Sequence, residues 1–130
     1  MIAVRAFAVA LTGLVFAASA AQAADGRQIF LDNCSACHQV TGKGVPGAFP
    51  ALAGSKIVGG PGPGMATVVL NGRGGMPAFR DELGDADLAA VMTYVRASFG
   101  NRSGPVTPAI VASVRKSAKR EDPKSALTAH

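Results

Sequence analysis

Five consecutive residues, Cys34-Ser35-Ala36-Cys37-His38, restrict this chain more than anything else in its 130 residues. They contain the only two cysteines. A disulfide across a two-residue gap closes too small a loop to constrain the unfolded chain much, and it would leave His38 without a role. A thioredoxin-type dithiol needs a strand ahead of the motif, and no strand pattern precedes Cys34. A tetrahedral zinc site needs four ligands. Beyond Cys34, Cys37 and His38, only His130 at the far tip could supply the fourth without invoking carboxylates. The spacing does fit covalent haem. Two thiols one helical turn apart can each add across a vinyl group, and the adjacent imidazole then reaches the iron from the same side. The motif predicts one covalently attached haem c, with Cys34 and Cys37 as thioethers and His38 as an axial ligand of the iron.

A second axial ligand is expected at Met76. Of the four methionines, Met1 opens the chain, Met92 falls on the apolar face of a helix, and Met65 opens another helix. Met76 sits in a glycine-rich loop before Pro77, where no helical period explains burial. Gly74 and Gly75 are expected to let that backbone approach the macrocycle. A His/Met pair raises the reduction potential. A ligating imidazole also needs its other nitrogen fixed, usually by a backbone carbonyl. Pro46, on the loop leaving the motif, is the first candidate for that carbonyl, and Pro50 is the alternative.

The chain around the motif divides into an export segment, a domain and a basic extension. Residues 1–5 are a short positive start and residues 6–18 are apolar. Ala21-Gln22-Ala23 then supplies small residues for a signal peptidase, so residues 1–23 read as a signal peptide cleaved after Ala23. The apolar stretch is shorter than the roughly 20 residues of a spanning helix, so no membrane span is expected after cleavage, and the protein is expected in the periplasm. The formal net charge is +5, but residues 24–100 hold six basic and six acidic side chains. The excess lies in residues 101–130, six basic against Glu121 and Asp122, so the core offers no nucleic-acid surface.

Residues 25–37 read as a first helix. Residues 39–63 contain seven glycines and four prolines and read as one irregular loop. A short apolar helix is expected over 65–71, stopped by Gly72. The clearest helix runs over 85–99, where Leu88, Val91, Met92, Val95 and Phe99 follow the helical period. After a linker, Thr107-Pro108 pairs an N-cap with proline at N1, and Ile110, Val111 and Val114 suggest a short fourth helix. Residues beyond 116 are expected to be disordered. Residues 101–130 are expected to be dispensable for folding and haem attachment, and either to steer the protein electrostatically toward an acidic partner or anionic lipid heads or, through Lys116, Lys119, Arg120 and Lys124, merely to keep a disordered end soluble.

Residues 25–101 resemble a class I (mitochondrial-type) c-type cytochrome of the bacterial periplasmic, single-haem kind. Cys34 to His38 match its haem motif, Gly47-Ala48-Phe49-Pro50-Ala51-Leu52 a Phe-Pro-x-Leu stretch, Gly75-Met76-Pro77-Ala78-Phe79 the axial methionine loop, and residues 88–95 the last helix. The run from Arg96 to Asn101, with the Gly-Pro-Val-Thr-Pro that follows, is similar to cytochrome domains of membrane-bound dehydrogenases, which carry several haem motifs where this chain has one. The resemblance implies an all-α cytochrome c fold, three to four short helices and long loops around one haem. It implies a haem environment that includes Pro46, Phe49, Pro50, Leu52, Arg73 and Tyr94, with Tyr94 near Gly26 and Phe30 where the first and last helices cross.

The implied role is single-electron transfer between redox proteins, a dehydrogenase donor and an oxidase or other acceptor, with no catalytic residues of its own. A peroxidase-like or gas-binding protein would need an open iron position, which Met76 argues against, and the core offers no second histidine as a distal acid or base.

Overall fold

The structure, a computed structural model, describes residues 25–118. The signal-peptide expectation falls outside the described residues, as does the expected disorder from residue 119 onward, whereas Ser117 and Ala118, also expected to be disordered, are the last residues of a helix. Within them lie six helices, α1 (Gly26–Asn33), α2 (Ser35–His38), α3 (Lys56–Gly59), α4 (Gly62–Asn71), α5 (Asp85–Ala97) and α6 (Pro108–Ala118). No strand occurs among the described residues, only the isolated bridges Val45–Phe49 and Arg73–Met76. The fold is all-α, as the sequence predicts, but the helices number six rather than three or four.

The two extra helices are single turns created by local side-chain bonds. The first helix is not continuous to Cys37. Asn33 Nδ2 donates to the Ile29 carbonyl at 3.0 Å and the Ser35 hydroxyl to Leu31 at 2.7 Å. Side chains that bond i−4 carbonyls compete with the helix ladder and bend it, and the chain breaks at Cys34 (φ −119°) before resuming as α2. In the long loop, Ser55 accepts a hydrogen bond from the Val58 N–H at 3.4 Å and so caps α3. Helix α4 starts at Gly62 with Pro63 in its first turn, earlier than periodicity suggests, because those positions carry no apolar side chain to mark the period. Helix α5 ends at Ala97, and Phe99 lies beyond it in the left-handed region, φ 58°.

The core is organised by a crossing of α1 and α5. Ile29 and Phe30 of α1 are buried against Leu88, Val91, Met92 and Val95 of α5. The crossing is close because Gly26 sits on the Ala90 carbonyl and on Tyr94 Cβ. Alanine at 26 would gain up to about 1 kcal/mol of helix propensity, but its methyl would overlap the Ala90 carbonyl oxygen, and overpacking of that kind costs about 1–3 kcal/mol. We expect Gly26→Ala to be net destabilising, read as a lowered urea midpoint at unchanged slope.

Helix α6 packs on the core, which argues against the expectation that everything past residue 101 is dispensable for folding. Val111 is fully buried and Val106, on the strap leading to α6, is 3% exposed. Ile110 and Val114 pack on the same cluster. Thr107 caps the helix through the Ile110 N–H at 3.3 Å. Arg115 pairs with Asp85 at 2.7 Å and donates to the Leu83 and Arg80 carbonyls. Arg80 reciprocates with a 3.1 Å bond to the Arg115 carbonyl and a 2.7 Å bond to Asn71. A stripe of three apolar residues was too short to distinguish a docked helix from an exposed one.

Candidate haem-binding site

Helices α1 and α2 present the thiols, the 39–55 loop and α3 form one flank, and α4 with the 72–79 loop forms another. Together they line an apolar cleft of about 290 Å³. Cys34, Cys37, His38 and Met76 all border it, as do Phe49, Pro50, Leu52 and Arg73. Met65 and Phe79 also contribute, and both are buried. The structure thus brings together four of the sequence-predicted donors and most of their predicted surroundings.

Two predicted surroundings are not brought there. Pro46 does not border this cleft; it lines a shallower recess formed by the 46–51 turn with Lys43. Its carbonyl does not hold His38 either. His38 Nδ1 lies 2.9 Å from the Pro50 carbonyl, so the alternative named above is the one observed. The reason lies in the tight turn made where Val45 pairs with Phe49, which turns the chain back and delivers Pro50 to the imidazole. Tyr94 is also absent from the cleft lining. It faces α1, in an aromatic cluster with Phe30 (5.6 Å between centroids) and Phe99 (6.0 Å, edge-on), near Gly26 as the crossing requires.

The geometry fixes the tautomer of a neutral His38. A carbonyl only accepts, so Nδ1 is the protonated nitrogen, and Nε2 of the neutral ring keeps the lone pair that a metal would take. Cys34 is in a different condition. Burial, and then the neighbouring Cys37, push its thiol up to about 11. Reactive dithiols have thiol values lowered by positive surroundings, so this shift argues against thiol–disulfide chemistry, as does the helix that leads into the motif.

Met76 is held by backbone. Arg73 and Met76 exchange N–H to carbonyl bonds at 3.3 and 3.0 Å, and the Phe79 N–H donates to the Val69 carbonyl at 3.0 Å. A close approach within this turn is at Gly72, which has φ 72° and where a Cβ would strike the Met76 carbonyl. Gly75 borders the cleft in which the approach to the macrocycle is expected. Met92 is 1% exposed in the core, as its period predicts.

Sequence reasoning missed Arg96, which is 7% exposed and has no acidic partner among the described residues. Its guanidinium donates to the carbonyls of Gly104 at 2.5 Å, Val58 at 2.6 Å and Gly60 at 2.7 Å. These bonds replace the hydration lost on burial and tie α3 to α5 beside the cleft. Two of the three partners, Val58 and Gly60, lie 38 and 36 residues away, so no local pattern announces them.

Two thiols, an imidazole with one free nitrogen and a thioether around an apolar cleft form a donor set that fits a haem c. Comparison with known proteins agrees. The family model described as "Cytochrome C oxidase, cbb3-type, subunit III" matches residues 21–95. The chain belongs to the cytochrome c family. That family is one of electron transfer and implies covalently bound haem c with its iron. The cytochrome c subunit of the quinone alcohol dehydrogenase of Gluconobacter oxydans is 32% identical over 103 residues, 69% of this chain but 22% of that subunit. Cytochrome c6 of Picosynechococcus is 40% identical over 106 residues, 68% of this chain and 88% of that protein. Subunit CcoP of a cbb3-type oxidase from Azospirillum is 34% identical over 87 residues, 61% of this chain and 29% of that subunit. The chain thus spans about a fifth of the dehydrogenase subunit and nearly all of the cytochrome c6. No helix among the described residues is long and apolar enough to cross a membrane.

Proposed function

We propose that this chain binds a single haem c through Cys34 and Cys37, ligates its iron with His38 and Met76, and passes single electrons in the periplasm between a dehydrogenase and a respiratory acceptor. The observation that carries the reading is the 2.9 Å bond from His38 Nδ1–H to the Pro50 carbonyl, which turns a free Nε2 toward ligation in a cleft that Cys34, Cys37 and Met76 also line. When bound, the haem supplies a one-electron couple at the iron.

The chain supplies the rest. His38, held in one tautomer, and Met76, neutral and soft, are both ligands that suit either oxidation state, so little rearrangement accompanies electron exchange. Leu52, Met65 and Phe79 line the cleft with apolar surface and limit water beside the couple. Phe49 and Ile57 border the same cleft and add to its apolar lining. The domain extends, in this reading, through α6 rather than ending at residue 101, with residues 1–23 as signal peptide and the basic end of the chain available to steer encounters. The dehydrogenase and oxidase partners follow from the relatives named above.

Intact mass decides the chemistry. After signal removal the protein should exceed its polypeptide mass by one haem, the haem should resist acid–acetone extraction, and neither cysteine should be alkylated. Extractable haem or two alkylated thiols would refute the reading. A reduced spectrum with sharp, split low-spin bands is expected beside it.

A further inference from the structure

The bond that orients His38 is only as fixed as the loop carrying Pro50, and one side chain ties that loop to the end of α5. Asn101 Oδ1 accepts from the Gly54 N–H at 3.0 Å. Its Nδ2 donates to the Leu52 carbonyl at 3.1 Å and to the Val95 carbonyl at 3.1 Å. Every hydrogen-bonding group of the carboxamide is engaged, both N–H donors and the oxygen. Val95 belongs to α5, so residues 52–54 are pinned to the helix through this one amide.

Asn101 is itself held by the turn before it. Its N–H donates to the Ser98 carbonyl at 2.9 Å. Phe99, in the left-handed region, adopts a backbone that non-glycine residues hold only where their surroundings enforce it. Its ring is gripped by Phe30, 5.3 Å between centroids, and it covers Gly42, where a Cβ would run into the ring. The Gly42 carbonyl in turn accepts from the Leu52 and Ala53 N–H groups at 2.7 and 3.1 Å. The 98–101 turn therefore holds the Pro50 loop by two routes, the Asn101 amide and the Phe99 ring.

We propose that Asn101 is a positioning residue for His38, acting through residues 52–54 to hold the Pro50 carbonyl on Nδ1 and so to set the orientation and electron-donating strength of the imidazole. The inference rests on the haem reading above. A carbonyl that accepts from Nδ1–H makes the ligating nitrogen more basic, and a more basic ligand favours the oxidised iron and lowers the potential. Weakening that bond raises the potential. General loosening has the opposite sign, because admitted water stabilises the more highly charged oxidised form. The direction of the shift therefore separates a role at His38 from a merely structural one.

The test compares the full-length holoproteins of wild type, Asn101→Leu, which roughly keeps the side-chain volume, and Asn101→Ala. In both variants the potential should rise, and the His38 Nδ1–H resonance of the reduced protein should exchange with solvent about tenfold faster, the effect of losing one or two ordinary hydrogen bonds. An unchanged or lowered potential, or unchanged ring N–H exchange, overturns the inference. If neither variant retains haem, the wild type decides alone. One shared opening rate for the Gly54 amide and the His38 ring N–H supports the link, and a Gly54 amide that opens without the ring N–H overturns it. A wild-type protein without covalent haem would overturn the haem reading and this inference together, whereas unshifted variants of a haem-loaded protein overturn this inference alone.

Discussion

Met76→Ala should keep its covalent haem and bind carbon monoxide in the reduced state, which the wild type should not do readily. The attachment depends on Cys34 and Cys37, which the substitution leaves alone. In the proposed ligation the Met76 thioether blocks the sixth position, and its loop is held by Gly72, the Arg73–Met76 bridge and the Phe79 bond to α4, so removing the side chain should open the position without unravelling the loop. The potential should fall by on the order of 0.2 V, a fraction of the ≈ 0.8 V range that axial ligands span, because the thioether favours the reduced iron. Met65→Ala is the matched control, since Met65 also lines the cleft. It is 6% exposed, so its truncation should cost about 2–5 kcal/mol of stability and leave carbon monoxide excluded. Carbon monoxide binding by the Met65 variant and not by the Met76 variant would reverse the assignment.

Ending the chain after Asn101 should cost about 5 kcal/mol of stability, whereas ending it after Ala118 should change stability by less than about 0.5 kcal/mol. Val106 and Val111 are each essentially buried, and burying a valine is worth about 1.5–3 kcal/mol. The Arg115 bonds to the Arg80 and Leu83 carbonyls add about 1 kcal/mol each before any rearrangement. The loss would consume much of the 5–15 kcal/mol that typical domains possess. Urea titrations of both truncations beside the full chain measure it. Equal midpoints for residues 1–101 and 1–118 would mean that α6 contributes nothing to the fold.

The helices and candidate donors that were legible in the sequence are those with local signatures. The Cys34-to-His38 spacing, the apolar period of α5, the glycine stop at Gly72 and the Thr107-Pro108 start of α6 are each complete within a few residues. What stayed hidden depends on groups far apart in sequence. The break at Cys34 arises from Asn33 and Ser35 competing for helix carbonyls, which composition does not distinguish from ordinary helical use. Pro50, rather than Pro46, holds His38 because of the turn closed by Val45 and Phe49. Arg96 and Asn101 bond carbonyls 36 to 49 residues away, and α6 docks through too few apolar side chains to be read as core.

The Gly26–Ala90 crossing has a consequence for how this chain can vary. It joins the two ends of a segment that contains the whole cleft, so α2 with His38 and the loop carrying Met76 both lie on excursions from one fixed junction. Doubling the length of a flexible excursion adds only about 0.6 kcal/mol of closure entropy. Insertions at the exposed residues 81–82 would leave the junction untouched, and so would insertions in the 46–48 turn that keep the Val45–Phe49 pairing delivering Pro50 to His38. A single methyl at Gly26 would not. Over evolutionary time the surface around the cleft is therefore free to be re-tailored to new partners by changes of loop length, while the helix crossing behind it tolerates almost no change in size.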